Sequence, residues 1–283
     1  MKVGYLGPVG SFSYTAAQTA FSNEEKYELL PYSTIPACIK ALEIGEVDLS
    51  VVPIENSIEG SVNTTVDYLF HKVSLKVSSE IVLPIAQQFM VSKENLTETI
   101  ERIYSHPQAL AQSRMFIDTH FPEAEIEVTP STAYAANYVA EHPEEPYAAI
   151  APKLAAETYA LEIISENIQD LELNNTRFWV LGTQAYKINL PSVEEKMTIA
   201  ITMPNNTPGV LHKALSVFAW RNINLSKIES RPLKTILGEY FFLVDIQVEQ
   251  EMKLIKNALE EISLMGGMVK VFGNYSIYEI KDL

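Results

Sequence analysis

Asn174-Asn175-Thr176-Arg177-Phe178-Trp179-Val180-Leu181-Gly182 joins a polar turn to an apolar run. Paired asparagines read as a turn, and Phe178 to Leu181, closed by Gly182, as a buried strand. Thr176 and Arg177 then stand where a loop enters a sheet, a usual position for side chains that face a ligand. A surface turn feeding a core strand explains the same residues, so the neighbouring stretches must decide. Strand alternation puts Thr176 and Phe178 on one face and Arg177 on the other, unless a bulge intervenes.

Upstream, Tyr147 to Ile150 is a short strand, and Ser131-Thr132-Ala133 starts a helix. Ser105-His106-Pro107-Gln108-Ala109-Leu110-Ala111-Gln112 starts another, with Pro107 at its first position. Gln108 and Gln112 share a face and suit two amides to one oxygen-rich ligand. His106 reads as a cap or a solvated residue. Leu75 to Ser92 is long, apolar and β-rich, breaks at Pro84, and reads as a crossover between two lobes.

The first lobe opens with strand Lys2 to Leu6, turn Gly7-Pro8-Val9-Gly10-Ser11 and helix Phe12 to Phe21. Free backbone N–H groups and a helix dipole meet at such a turn and suit a small anion. The glycine spacing is no nucleotide fingerprint, so a carboxylate fits better than a pyrophosphate. A plain tight βα turn explains it equally. Strands Tyr27 to Tyr32 and Leu49 to Pro53, with helix Ile35 to Glu43 between them, continue a βαβα alternation that predicts a parallel sheet. The third strand runs into Pro53-Ile54-Glu55-Asn56-Ser57-Ile58-Glu59-Gly60-Ser61, a polar cluster at the edge where open α/β sheets bind ligands. Glu55 and Glu59 suit an acid–base pair or, equally, helix capping.

At 283 residues, the chain has room for two domains, the first of them two-lobed. A formal net charge of −15 argues against nucleic acid and anionic membranes, since no basic excess can release counterions. An anionic substrate would therefore be held by local dipoles. Cys38 stands alone, which excludes an intrachain disulfide or a CxxC site, and the five histidines lack metal-ligand spacing. No metal or cofactor is expected. The glycine turn comes too early for a signal peptide, and no apolar run approaches bilayer length, so a soluble cytoplasmic protein is expected.

Gly7-Pro8-Val9-Gly10-Ser11-Phe12-Ser13, Pro53-Ile54-Glu55-Asn56-Ser57, Ser105-His106-Pro107-Gln108-Ala109-Leu110 and Asn175-Thr176-Arg177-Phe178 resemble the prephenate dehydratase family, in this order and over nearly the whole chain. Each motif alone is weak, and the four in sequence are specific. The resemblance implies a two-lobed α/β fold like that of type II periplasmic binding proteins, with the active site in the cleft and Thr176 as the residue most needed for catalysis. Around it, Ser11, Glu55, Asn56, Ser57, Ser105, Gln112, Arg177 and Phe178 are the expected substrate-binding residues. Residues 1–185 form the expected catalytic domain and 186–196 a linker.

Residues 197–283 read as βαββαβ, the ferredoxin-like order. Pro208-Gly209-Val210-Leu211 and Glu229-Ser230-Arg231-Pro232 resemble the two phenylalanine-binding motifs of the regulatory ACT domain, with Val210 where alanine is usual. An ACT domain used only for dimerisation is the lesser alternative. Asn206 to Leu211 would supply N–H groups to the effector's carboxylate, and Glu229 would face its ammonium or pair with Arg231 at the surface. The family implies a homodimer through these domains, with a tetramer as the larger alternative. No helical segment of domain size precedes Met1, so a fused chorismate mutase is not expected. With cleft and effector site in separate domains, a chain ending near Tyr186 is expected to keep turnover and ignore phenylalanine.

Prephenate carries two carboxylates and a ring hydroxyl, and loses CO2 and water to become phenylpyruvate. Neutral donors suit a decarboxylating site, because fixed positive charge would hold the departing carboxylate in place. Arg177, if it faces the cleft, belongs with the retained carboxylate. Arogenate, the amino counterpart, is the nearest alternative substrate. A non-catalytic amino-acid receptor is the alternative from another class, and it predicts binding without turnover.

Overall fold

Short apolar strands alternating with helix-spaced segments build the first lobe of this computed structural model, which describes every residue except 23, 25, 97–98, 172, 185, 205–207, 235–238, 250 and 282–283. The order is β1 (Lys2–Leu6), α1 (Phe12–Phe21), β2 (Glu28–Tyr32), α2 (Ile35–Glu43), β3 (Leu49–Asn56), β4 (Gly60–Ser61), α3 (Asn63–His71) and β5 (Lys76–Pro84). β1 lies parallel to both β2 and β3, as the βαβα alternation requires. One face of the sheet buries α2 and α3 over residues such as Val52 and Trp179. The other buries α1 over Tyr5, Val51 and Phe178.

The chain leaves this lobe after Pro84 and builds a second, five-stranded sheet. Its elements are β6 (Gln88–Val91), β7 (Arg102–Ser105), α4 (Pro107–Gln112), α5 (Arg114–His120), β8 (Glu125–Val128), α6 (Thr132–Glu141), β9 (Tyr147–Ala151), α7 (Lys153–Tyr159) and β10 (Glu162–Ser165). The strand order is β10-β6-β9-β7-β8. The chain returns as β11 (Asn175–Gly182), which inserts antiparallel between β3 and β5. A second tie joins the lobes at the first glycine turn, where Tyr159 Oη donates to the Val9 carbonyl at 3.0 Å. Gly10 has φ +79° there, and a Cβ on it would press against Ala155.

The C-terminal part follows the ferredoxin-like order: β12 (Glu194–Thr202), α8 (Val210–Ala219), β13 (Leu225–Pro232), β14 (Tyr240–Gln247), α9 (Met252–Leu264) and β15 (Met268–Glu279). Its sheet does not stand apart. β15 pairs with β12 and then, over Ser276 to Glu279, runs parallel to β5 of the first lobe. One sheet, β13-β14-β12-β15-β5-β11-β3-β1-β2, therefore crosses both parts. The crossing depends on Gly273, because a Cβ there would run into the Val77 carbonyl. Between the two parts, Ile188 is buried in the first lobe's core, and Tyr186 Oη donates to Glu24 at 2.7 Å.

Candidate active site

A cleft of about 520 Å³ separates the two lobes. Ser11, Asn56 and Thr176 line it from the first lobe, and His106, Gln112 and Ser131 from the second. Three helices begin at its wall. Ser11 caps α1 by accepting from Tyr14 N, Ser131 caps α6 by accepting from Tyr134 N, and His106 caps the short α4 through Nδ1. First-turn N–H groups lack intrahelical partners, so these starts present donors and the positive ends of helix dipoles to the cavity. Because Nδ1 of His106 accepts from the Gln108 N–H, a neutral ring carries its proton on Nε2. None of the described lining residues is a lysine or arginine, and Glu59 is the one carboxylate among them.

Thr176 sits at the start of β11, nearly buried, with Oγ1 accepting from Asn56 Nδ2 at 3.0 Å. Asn56 in turn is locked by backbone, since its Oδ1 accepts from both Ile58 N and Glu59 N at 3.0 Å. The threonine's own proton has no acceptor among the described residues, and it is available to a ligand.

Five of the expected binding residues lie elsewhere, each for a visible reason. Phe178 shares Thr176's face but is two residues deeper, 1 % exposed and packed in the core beneath α1. Ser105 is fully buried and spends its hydroxyl on the Ile150 carbonyl at 2.6 Å, tying β7 to β9. Ser57 closes the turn beside β11, accepting from Asn175 N at 3.0 Å. Arg177 points to the opposite face of the sheet. The bulge between Arg177 and Phe178 falls in the pairing with β3 and does not reverse this alternation. Glu55 stands on the same far face, bonded to Arg177 and, at 2.8 Å, to Lys227.

That far face carries a buried ion cluster at the junction with the C-terminal part. Arg177 Nε and Nη2 donate to the two oxygens of Glu80 at 2.9 and 2.8 Å, and Nη2 also reaches Asp245 at 2.7 Å. Glu80 is fully buried, and Trp179 Nε1 and Lys196 Nζ donate to it at 3.1 Å. Burial alone would raise the Glu80 carboxyl pKa, but the Arg177 guanidinium and Lys196 ammonium outweigh it and hold the group below the usual carboxylate range. Glu55 is held low in the same sense, with Lys227 and Arg177 prevailing over burial.

The regulatory motifs separate as well. Gly209 precedes α8, and Val210 lines a pocket of about 380 Å³ together with Leu233, Tyr240, Phe242 and Met268. Asn206 lies outside the described residues. Glu229 and Arg231 do not face this pocket but turn toward the first lobe. Ser61 Oγ donates to Glu229 at 2.5 Å, while Arg231 binds Asn63 and, at 2.8 Å, Asp67. Glu229 also lies 3.5 Å from Arg231, but the pair is not at the surface as the alternative above has it, since Arg231 is buried against the first lobe. Pro208, Ser230 and Pro232 are exposed, and Leu211 is half-buried.

Sequence reasoning missed Glu80, whose signal was available: it is the one charged residue from Val77 to Ser92. A lone acid in an apolar strand requires a buried partner. It also misses Asn174, because paired asparagines read as turn chemistry, which leaves the side chain no role.

A family model described as prephenate dehydratase matches residues 3–186, and one described as ACT domain matches residues 197–263. The chain is 50% identical over 285 residues to a prephenate dehydratase of Lactococcus lactis subsp. cremoris, covering 100% of each. It is 43% identical over 287 residues to that of Bacillus subtilis, covering 99% of this chain and 100% of the relative. Among solved structures, prephenate dehydratase from Arthrobacter aurescens in complex with L-Phe matches with a TM-score of 0.84 at 30% identity. That match covers 97% of this chain and 90% of the other.

Proposed function

Because the chain belongs to the prephenate dehydratase family, we propose that its inter-lobe cleft is where prephenate loses CO2 and water, with Thr176 donating to the departing hydroxyl. The enzyme is a carbon–oxygen lyase of phenylalanine biosynthesis, feedback-regulated by phenylalanine through its ACT domain. One observation carries the site assignment. Among the described residues, the cleft combines a threonine proton without an acceptor with a wall that carries no lysine or arginine.

In the reaction, the ring carbon–carboxylate bond breaks, its electron pair enters the ring, and the ring C–O bond opposite breaks as the ring becomes aromatic. The leaving oxygen departs with its own proton and takes a second from solvent to become water. A threonine hydroxyl is a poor acid near neutrality. Thr176 therefore acts as a hydrogen-bond donor that strengthens as charge develops on that oxygen. Helix starts and the Gln112 amide hold the two carboxylates, and no lysine or arginine among the described lining residues retains the departing one. Purified protein given prephenate is expected to form phenylpyruvate. Equal efficiency with arogenate would favour the amino substrate, and binding of either without turnover would favour a receptor.

Phenylalanine's ring suits the apolar pocket beside Val210, and α8's start suits its carboxylate. β13 is the outermost strand of the sheet and exposes Ile228, so a second copy covering this edge gives a dimer. The route to the cleft is short, since Ser61 lines the cleft and is held by both Glu229 and Lys227 of β13. Linkage then requires a cleft ligand to weaken phenylalanine binding as much as phenylalanine weakens the ligand's. Calorimetry with and without a saturating prephenate analogue should record that drop, and in Glu229→Ala the drop should shrink. Phenylalanine affinity indifferent to the analogue in the unaltered protein rules out coupling through binding.

A further inference from the structure

Asn174 is 2 % exposed, does not line the cleft, and joins the two lobes through its side chain. Its Oδ1 accepts from Asn56 Nδ2 at 2.7 Å, and its Nδ2 donates to Gln112 Oε1 at 3.1 Å. Amide oxygens and nitrogens look alike by shape, but this chain of amides has only one consistent direction. The N–H groups of Ile58 and Glu59 can only donate, so the Asn56 atom they meet is its oxygen. The Asn56 NH2 then faces both Thr176 Oγ1 and Asn174. Asn174 must present its oxygen to that NH2 and its own NH2 to Gln112. The Gln112 oxygen is thereby occupied, and its Nε2 remains at the cleft wall, a buried donor with no partner among the described residues.

We infer that Asn174 is a positioning residue: it carries the polarity set by the Ile58 and Glu59 backbone across the lobe boundary and fixes Gln112 with its NH2, not its carbonyl, toward a substrate carboxylate. This rests on the reading of the cleft given above. At its two ends the relay leaves a donor unspent at the cleft wall, the Thr176 hydroxyl in one lobe and Gln112 Nε2 in the other. Without Asn174's NH2, nothing among the described contacts opposes a flip of the Gln112 amide. A flipped amide would present an acceptor to an anion.

The test is the cost of Gln112→Ala on prephenate turnover, measured in the unaltered protein and in Asn174→Asp. Aspartate keeps the acceptor for Asn56, is nearly isosteric, and loses the donor to Gln112. In the unaltered protein Gln112→Ala should lower kcat/KM about tenfold, mainly through KM, the scale of one hydrogen bond to a charged group. In Asn174→Asp the same change should cost less than about twofold, because Gln112 already points the wrong way. A negative charge or a general loosening introduced by aspartate acts on both arms alike and cancels. Should Asn174→Asp fail to fold, Asn174→Ser carries the same comparison. Equal costs in both backgrounds overturn the relay. An unaltered protein that does not turn over prephenate sinks the functional reading instead, and the relay with it.

Discussion

Thr176→Val should lower kcat for prephenate by roughly two to three decades while leaving the fold intact, the usual scale for one transition-state donor. Valine is close to isosteric with threonine and removes a hydroxyl whose proton has no acceptor among the described residues. It also strips Asn56 Nδ2 of one acceptor, but that NH2 keeps Asn174 Oδ1 at 2.7 Å. The side chain is only 9 % exposed, so the apolar replacement costs little in stability. Thr176→Ser should retain much of the activity, because it keeps the donor on the same backbone. If valine performs as well as serine in steady-state assays, the hydroxyl has no part in the reaction.

Arg177→Met should cost about 3–5 kcal/mol of stability, although Arg177 adjoins Thr176 and never touches the cleft. The guanidinium pairs with Glu80, Asp245 and Glu55 at once. Removing it leaves the fully buried Glu80 with Lys196 as its remaining cation. A thermal midpoint lowered by roughly 10 °C is the expected readout. Arg177→Lys should not restore it, since an ammonium cannot reproduce the forked contact with both Glu80 oxygens. A midpoint unchanged in Arg177→Met would mean that the cluster contributes nothing net.

The same cluster sets an acid limit. The pKa values of Glu80 and Glu55 are lower in the folded protein than in the unfolded chain. Their contribution is thus present above the ordinary carboxylate range near pH 4.3 and lost as pH falls through the lowered folded values. Three groups around Glu80 and Arg177, namely Lys196, Asp245 and Tyr275, come from beyond Tyr186. The expectation that a chain ending near Tyr186 keeps its activity therefore loses its physical basis. Such a cut would strip Glu80 of Lys196 and unpair β5 from β15, and it is now expected to destabilise the first lobe.

How far the chain could be read depended on which contacts are local. The β1–α1 turn, the break at Pro84 and the βαββαβ order all follow from apolar periodicity and turn residues within a few positions, and each stands in the structure. The opposite faces of Thr176 and Arg177 follow from strand alternation. Depth along a strand does not: Phe178 shares Thr176's face and ends in the core, because α1 covers that part of β11. Long-range polar pairing is also illegible. Glu229 reads as a ligand contact within its motif, yet its partner is Ser61, 168 residues away. The continuous sheet through β15 and β5 is non-local in the same way, and only the demand for glycine at 273 hints at it.

Whether Thr176 acts in the transition state and not in binding is best settled by measuring, on the Thr176→Val protein, the prephenate dissociation constant and the single-turnover rate together. A donor that strengthens only as the C–O bond breaks leaves the dissociation constant within about threefold while the rate falls by roughly two to three decades. A dissociation constant weakened as much as kcat/KM, with the single-turnover rate preserved, would mean that Thr176 merely holds the substrate and that the cleft breaks the C–O bond by other means.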